Sequence, residues 1–269
     1  MITMGIAGMQ YYSNATLWPR LSQLLYATDE ISRGLYAEVL PLGTIIGGIV
    51  MCFSKKIGHQ RWQVFAAIAL QTACVGAMST ATMDNPVQSI ILTVIISFCT
   101  SMVILNCLVT IGFGILDQND IGTAAGIAGT SRLMCGAIAI AIFSNVTNNK
   151  YADALGPAVL RNIEGLGFDT SNLTRLATAA RAGTAAAYAA VPGLTPAVRA
   201  AAVQANKEAY LEGARLSYQV ALAFGLVGCI AALFIPSIDT RKYTKRTVAL
   251  QEADRKAWEK KQLEGKTEA

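Results

Sequence analysis

The chain has 269 residues, 53% of them hydrophobic and only 14% charged, with a mean hydropathy of +0.42. Soluble domains carry about 25% charged residues, so this composition excludes an ordinary soluble globule and points to a multispanning membrane protein. The formal charge of +5 is no nucleic-acid footprint, because the excess is concentrated in the loop at residues 55–61 and in the C-terminal tail.

Residues 2–18 form a first apolar segment that Pro19 is expected to stop. Gln10, Tyr11, Tyr12 and Asn14 make its second half polar for a lipid-facing helix. Such groups need partners inside the protein or a wet cavity; the alternative for the tyrosines is an aromatic belt at the interface. After a short loop of balanced charge, residues 34–53 are long enough to cross the ~30 Å hydrocarbon layer at 1.5 Å per residue. Glu38 is the one carboxylate clearly inside an apolar run. A carboxylate withdrawn from water holds its proton more tightly, which makes Glu38 a candidate for proton coupling, the alternative being a residue at the outer mouth. Gly43, Gly47 and Gly48 would let another helix come close. Lys55, Lys56 and Arg61 then crowd a turn around Gly58, and basic residues in short loops mark the cytoplasmic side. This helix therefore runs inward.

Residues 62–80 return outward and residues 81–88 turn through Asn85 and Pro86. Residues 89–116 run inward and residues 121–144 outward. The latter carry Gly122, Gly126 and Gly129 at a spacing that implies tight packing on a neighbour. Arg132 lies near the middle of that span, a costly place for a charge, where it either holds an anionic group or satisfies backbone carbonyls. Residues 145–215 are polar, alanine-rich and, on this topology, an external loop. Two sequons there, at Asn145 and Asn172, are candidate glycosylation sites. Thr195 and Pro196 read as the N-cap and first residue of a helix. Residues 217–236 form the last span, and residues 238–269 a cytoplasmic tail; from Asp239 on there are nine Lys/Arg against six acids. The expected organisation is a six-span membrane domain, 1–237, with both ends cytoplasmic.

No phosphate loop, nucleophile elbow or catalytic carboxylate pair is present, and the one histidine, His59, sits in a loop. The six cysteines form no C-x-x-C pair and read as packing residues. Neither an enzyme nor a cofactor is expected.

The turn combines a glycine-rich helix end, Lys55-Lys56, Gly58 and His59-Gln60-Arg61. It resembles the loop between the second and third helices of the major facilitator superfamily, usually Gly-x-x-x-Asp-Arg/Lys-x-Gly-Arg-Arg/Lys. Ser54 or Lys55 stands where that pattern has an acid, and His59 where it has an arginine. GMQYYSNATLWP, from Gly8, resembles the helix that begins the C-terminal half of fungal drug:proton antiporters, particularly the trichothecene efflux pump and siderophore transporter families. DIGTAAGIAGTSRLMCGAIAIAIF, from Asp120, resembles their penultimate helix, and FIPSIDTRKYTKRTVALQ, from Phe234, their ending.

The resemblance implies an all-α integral membrane fold of six transmembrane helices, arranged as two inverted three-helix repeats, half of a major facilitator fold. Its companion would be a missing N-terminal half or a second copy. The implied activity is proton-coupled efflux of small toxic organic compounds, such as mycotoxins or drugs, by alternating access; siderophore-iron uptake is the alternative. A channel subunit or membrane scaffold is the alternative of another class. Gln10, Tyr11, Tyr12, Asn14 and Arg132 would then line the substrate cavity, and Glu38 would couple protons. Lys55, Lys56, Gly58 and Arg61 would form a cytoplasmic gating loop. The partners implied are the lipid bilayer of a plasma or vacuolar membrane, a small organic substrate and protons.

Overall fold

The structure, a computed structural model, describes residues 1–114, 120–164, 166, 168–169 and 172–235, and all regular structure among them is helical. The expected tail and the acidic turn at Asp117 lie outside the described residues.

Helix α1, Ile2–Leu25, runs through Pro19 instead of stopping there. Proline forfeits one backbone hydrogen bond in a helix interior, but Trp18 before it and Leu21, Ser22 and Leu25 beyond it are buried, and that packing carries the helix one turn and more past the proline. Helix α2, Glu30–Ala37, is joined to α3, Val39–Ile57, by a slight break at Glu38. Helix α4, Gln60–Ala77, ends in a 3-10 turn, Met78–Thr80. Helix α5, Pro86–Gly114, starts three residues before the apolar run, with proline at its first position where no backbone donor is needed. Asn85 Oδ1 accepts from the Gln88 N–H at 3.4 Å.

Helix α6, Ile121–Ile163, and helix α9, Pro196–Leu233, have 43 and 38 residues. At 1.5 Å per residue they are about 64 and 57 Å long, roughly twice the hydrocarbon layer. Residues 145–215, expected as a loop, are thus mostly helix. The far half of α6, the near half of α9, α7 (Leu173–Ala182) and α8 (Ala185–Ala189) pack into a stalk that continues past the apolar stretches. Val198, Ala202, Ala205 and Ala209 lie on one buried stripe of α9, and their short side chains let Tyr151, Leu155 and Val159 of α6 fill the interior. Thr195 caps α9 as its sequence suggests, its Oγ1 accepting from the Val198 N–H at 3.3 Å.

The helix pairings have an internal order. Helix α1 packs on α6 and α9; α5 packs on α3 and α4; α1 also meets α5, and α4 meets α9. Exchanging α1, α3, α4 with α5, α6, α9 leaves this set of pairings unchanged, as two inverted three-helix repeats require. The α6–α9 contact has no counterpart of equal extent between α3 and α4, because it continues along the stalk. Among the described residues five helices can cross a membrane by length and composition: α2–α3 taken together, α4, α5, α6 and α9. Helix α1 has the length, about 36 Å, but less apolar character, and its polar side chains turn into the bundle.

Between α3 and α5 the approach is close. A Cβ on Gly43 would meet the carbonyl of Val94 and lie 2.8 Å from Ser97 Cβ; one on Gly47 would lie 2.6 Å from the Phe98 carbonyl oxygen. Gly48 faces away. Leu42, Ile45, Ile49 and Phe53 on α3 and Leu226, Val227 and Ile230 on α9 are exposed, as lipid-facing side chains must be. The Gly122, Gly126 and Gly129 stripe of α6 behaves otherwise than its spacing suggests: no described atom lies within 4 Å of a Cβ placed there.

Candidate substrate seam and cytoplasmic loop

Successive residues of a helix are turned by about 100°, so Gln10, Tyr11, Tyr12 and Asn14 cannot share one wall. Gln10 and Asn14 point together into the bundle and are fully buried. Gln10 Nε2 donates to Thr72 Oγ1 at 3.1 Å, and the Tyr218 hydroxyl donates to Asn14 Oδ1 at 2.9 Å. Gln71, which the sequence reading missed, joins this interior network, its Nε2 donating to Thr100 Oγ1 at 3.0 Å and to the Ala7 carbonyl at 3.2 Å. Polar residues isolated within apolar spans are the signal that could have found it.

Tyr12 faces the other way, toward α6. Gly5 lies against Cys135 and Ser131, and beyond it Gly8 meets Arg132, Tyr12 meets Gly136 and Arg20 lies over the Tyr151 ring, so contacts advance together along both helices. The two helices are therefore parallel, with small residues of each receiving large residues of the other. Arg132 Cγ lies 3.0 Å from where a Gly8 Cβ would sit, and the Tyr12 ring occupies the space a Gly136 side chain would need. The Arg132 guanidinium carbon is 5.8 Å from the centre of the Tyr12 ring, and Tyr11 meets Tyr12 edge-on at 5.5 Å. All three side chains are half-buried. The structure thus brings Tyr11, Tyr12 and Arg132 together and separates Gln10 and Asn14 from them.

Glu38 is exposed at the α2–α3 break rather than desolvated within a span, its carbonyl accepting from the Leu42 N–H at 3.0 Å. Its place in this chain does not supply the burial expected of it.

The loop after α3 is a two-residue reversal. Gly58 has φ 70° and ψ −162°, a region essentially reserved for glycine, and His59 follows at φ 52°, left-handed. Gln63 braces the turn, Nε2 donating to the Gly58 carbonyl at 2.6 Å and to the Ser54 carbonyl at 3.1 Å. These are carbonyls that the end of α3 leaves without helical partners. The Ser54 hydroxyl reaches Gln63 Oε1 and, at 3.4 Å, Asn106 Oδ1 on α5. Lys56 is exposed near the Phe53 ring, and Arg61 leans toward Trp62 with its buried Nε unpartnered. The side chain of Lys55 lies outside the described residues.

The two sequons differ. Asn145 is inside α6, its Nδ2 donating to the Ala141 carbonyl at 2.8 Å, and Thr147 is buried against Ser217. Asn172 stands at the start of α7 with Thr174 exposed.

The family model described as fungal trichothecene efflux pump (TRI12) matches residues 25–269. The chain belongs to this efflux pump family. Trichothecene efflux pump TRI12 of Fusarium sporotrichioides is 30% identical over 238 residues, covering 88% of this chain and 38% of that protein. The MFS-type transporter prx5 of Penicillium rubens is 26% identical over 256 residues, 92% of this chain and 45% of the relative. The chain therefore spans less than half the length of these curated relatives. Membership in this family, together with its long apolar helices, makes it an integral membrane protein.

Proposed function

We propose that the chain acts in proton-coupled efflux of small toxic organic compounds by alternating access, with a second six-span half, in the plasma or vacuolar membrane. The observation that supports this reading best is the α1–α6 seam, which holds Tyr11, Tyr12 and Arg132 on two rigid parallel helices. The two tyrosines supply aromatic faces and hydroxyl groups, and Arg132 supplies donors, a combination suited to an oxygen-rich ligand. In this scheme the two helix groups rock about the seam, and the turn at Gly58 limits how far the cytoplasmic ends of α3 and α4 can part. Lys55, Lys56 and Arg61 support a cytoplasmic position for that turn. Glu38 is proposed as the proton-coupling carboxylate on position alone, exposed in this chain and open to cover by the companion half.

The test uses vesicles carrying this chain alone or together with the N-terminal half of the Fusarium relative, with efflux of a labelled trichothecene followed under an imposed pH gradient. Saturable flux that collapses with the gradient supports the proposal, and Glu38→Gln should abolish the gradient dependence. Flux linear in concentration and indifferent to the gradient would point to a channel.

A further inference from the structure

Resting on the transporter reading above, we infer that Arg132 is the anchor for an anionic oxygen of the ligand, a carboxylate or a similarly delocalised acid. Arg132 lies about 16 Å along α6 from Ile121, near the middle of a ~30 Å hydrocarbon layer. A guanidinium there is permanently charged and needs both a countercharge and hydrogen-bond acceptors.

The described residues supply neither. Among the described residues Arg132 takes part in no hydrogen bond, and its Nε is buried without a partner. The ion pairs present, Arg33–Glu30, Lys150–Glu212 and Arg161–Glu208, all lie elsewhere. The satisfaction by backbone carbonyls that the sequence left open is therefore not what this arginine does. The Tyr12 ring 5.8 Å away gives partial compensation, and it is held in place because Gly136 leaves room for it.

An arginine that knits two helices together should bond to them. This one is wedged against Gly8 with its donors unspent, which is the arrangement of a site waiting for an acceptor. A planar guanidinium offers two parallel donors to a carboxylate, and each charge-assisted bond is stronger than a neutral one. The tyrosine hydroxyls and rings beside it would take the apolar and polar remainder of the same molecule.

The probes are decanoate and its methyl ester, which share an alkyl chain and differ in charge. Their binding is measured by thermal shift on the full chain in nanodiscs of phosphatidylcholine, a lipid without net charge. Decanoate should bind about tenfold or more tightly than the ester. Arg132→Gln should remove that preference, while Arg132→Lys should retain part of it. Without ligand, Arg132→Gln should leave the chain as stable or more stable, since it removes an uncompensated charge. Equal binding of acid and ester, no binding of either, or a destabilised Arg132→Gln with unchanged preference would each overturn the inference. An arm with phosphatidylglycerol tests the lipid source: if that lipid displaces decanoate, the site belongs to a headgroup and the ligand assignment falls. None of these outcomes depends on flux, so failure here is separable from failure of the transporter reading.

Discussion

Replacing Gly58 by alanine is the most direct test of the turn. At φ 70° and ψ −162° a Cβ collides with the chain's own backbone, and such a residue costs about 1–3 kcal/mol. A shift of the turn to relieve the clash would draw the Gly58 carbonyl off Gln63 Nε2, now 2.6 Å away, and loosen the tie from Ser54 to Asn106. Valine adds a branched side chain and should cost more. The neighbouring His59 supplies an internal control. Its left-handed conformation costs roughly 1–2 kcal/mol, and glycine there recovers this while losing about 0.5–1 kcal/mol of chain entropy. His59→Gly should therefore fall within about 1 kcal/mol of the native chain, on the stable side. Unfolding in mixed micelles with increasing dodecyl sulfate measures all three. In the assembled transporter, Gly58→Val should lower turnover far more than equilibrium ligand affinity. A Gly58→Ala chain as stable as the native one would refute the conformational argument. An affinity loss with normal turnover per bound ligand would make the loop part of a binding site.

Gly43→Val should destabilise the α3–α5 contact by about 1–3 kcal/mol, because the nearest obstacle is backbone at Val94; Gly48→Ala, which meets nothing within 4 Å, should be neutral or slightly stabilising in the same assay. Glu208 gives the stalk a pH dependence. Burial alone would raise its carboxyl above the ordinary 4.5, but hydrogen bonds from Asn162, Arg161 and Gln204 and the Arg161 charge together hold it lower. Its contribution is therefore present above the unfolded-state value and lost as pH falls through the folded one; native melting should drop with acidification below about 4.5, and Glu208→Gln should flatten that drop. In a glycosylating host, Asn172→Gln should remove any glycan-dependent mobility shift, whereas Asn145→Gln, inside a helix with its threonine buried, should not.

The apolar helices were legible because about 20 residues without charge have few alternatives to a membrane helix. The turn at Gly58 was legible as a reversal, but not its form: nothing in a histidine announces a left-handed backbone, and Gln63 discloses its bracing role only when folded beneath the turn. Glycine spacing was half-informative. Gly43 and Gly47 meet a neighbour while Gly122, Gly126 and Gly129 meet none among the described residues, because spacing makes a surface and says nothing of what covers it. The polar cluster on α1 misled through adjacency, since residues next to one another in sequence lie on different faces of a helix. The stalk was hidden because the α9 wall of its interior is mostly alanine, too small to raise hydropathy much and yet small enough to let helices pack.

That stalk is built from the same unbroken rods that cross the bilayer. A rod pivoting near Arg132, about 46 Å from its far end, converts a tilt of about 10° into roughly 8 Å of travel there. In the rocking proposed above, motion at the seam would be displayed, enlarged, at the end of the stalk. Under the proposed alternating access the tip of the α6–α9 pair would serve as a lever arm, and an antibody fragment bound across it should arrest transport without touching Tyr12 or Arg132.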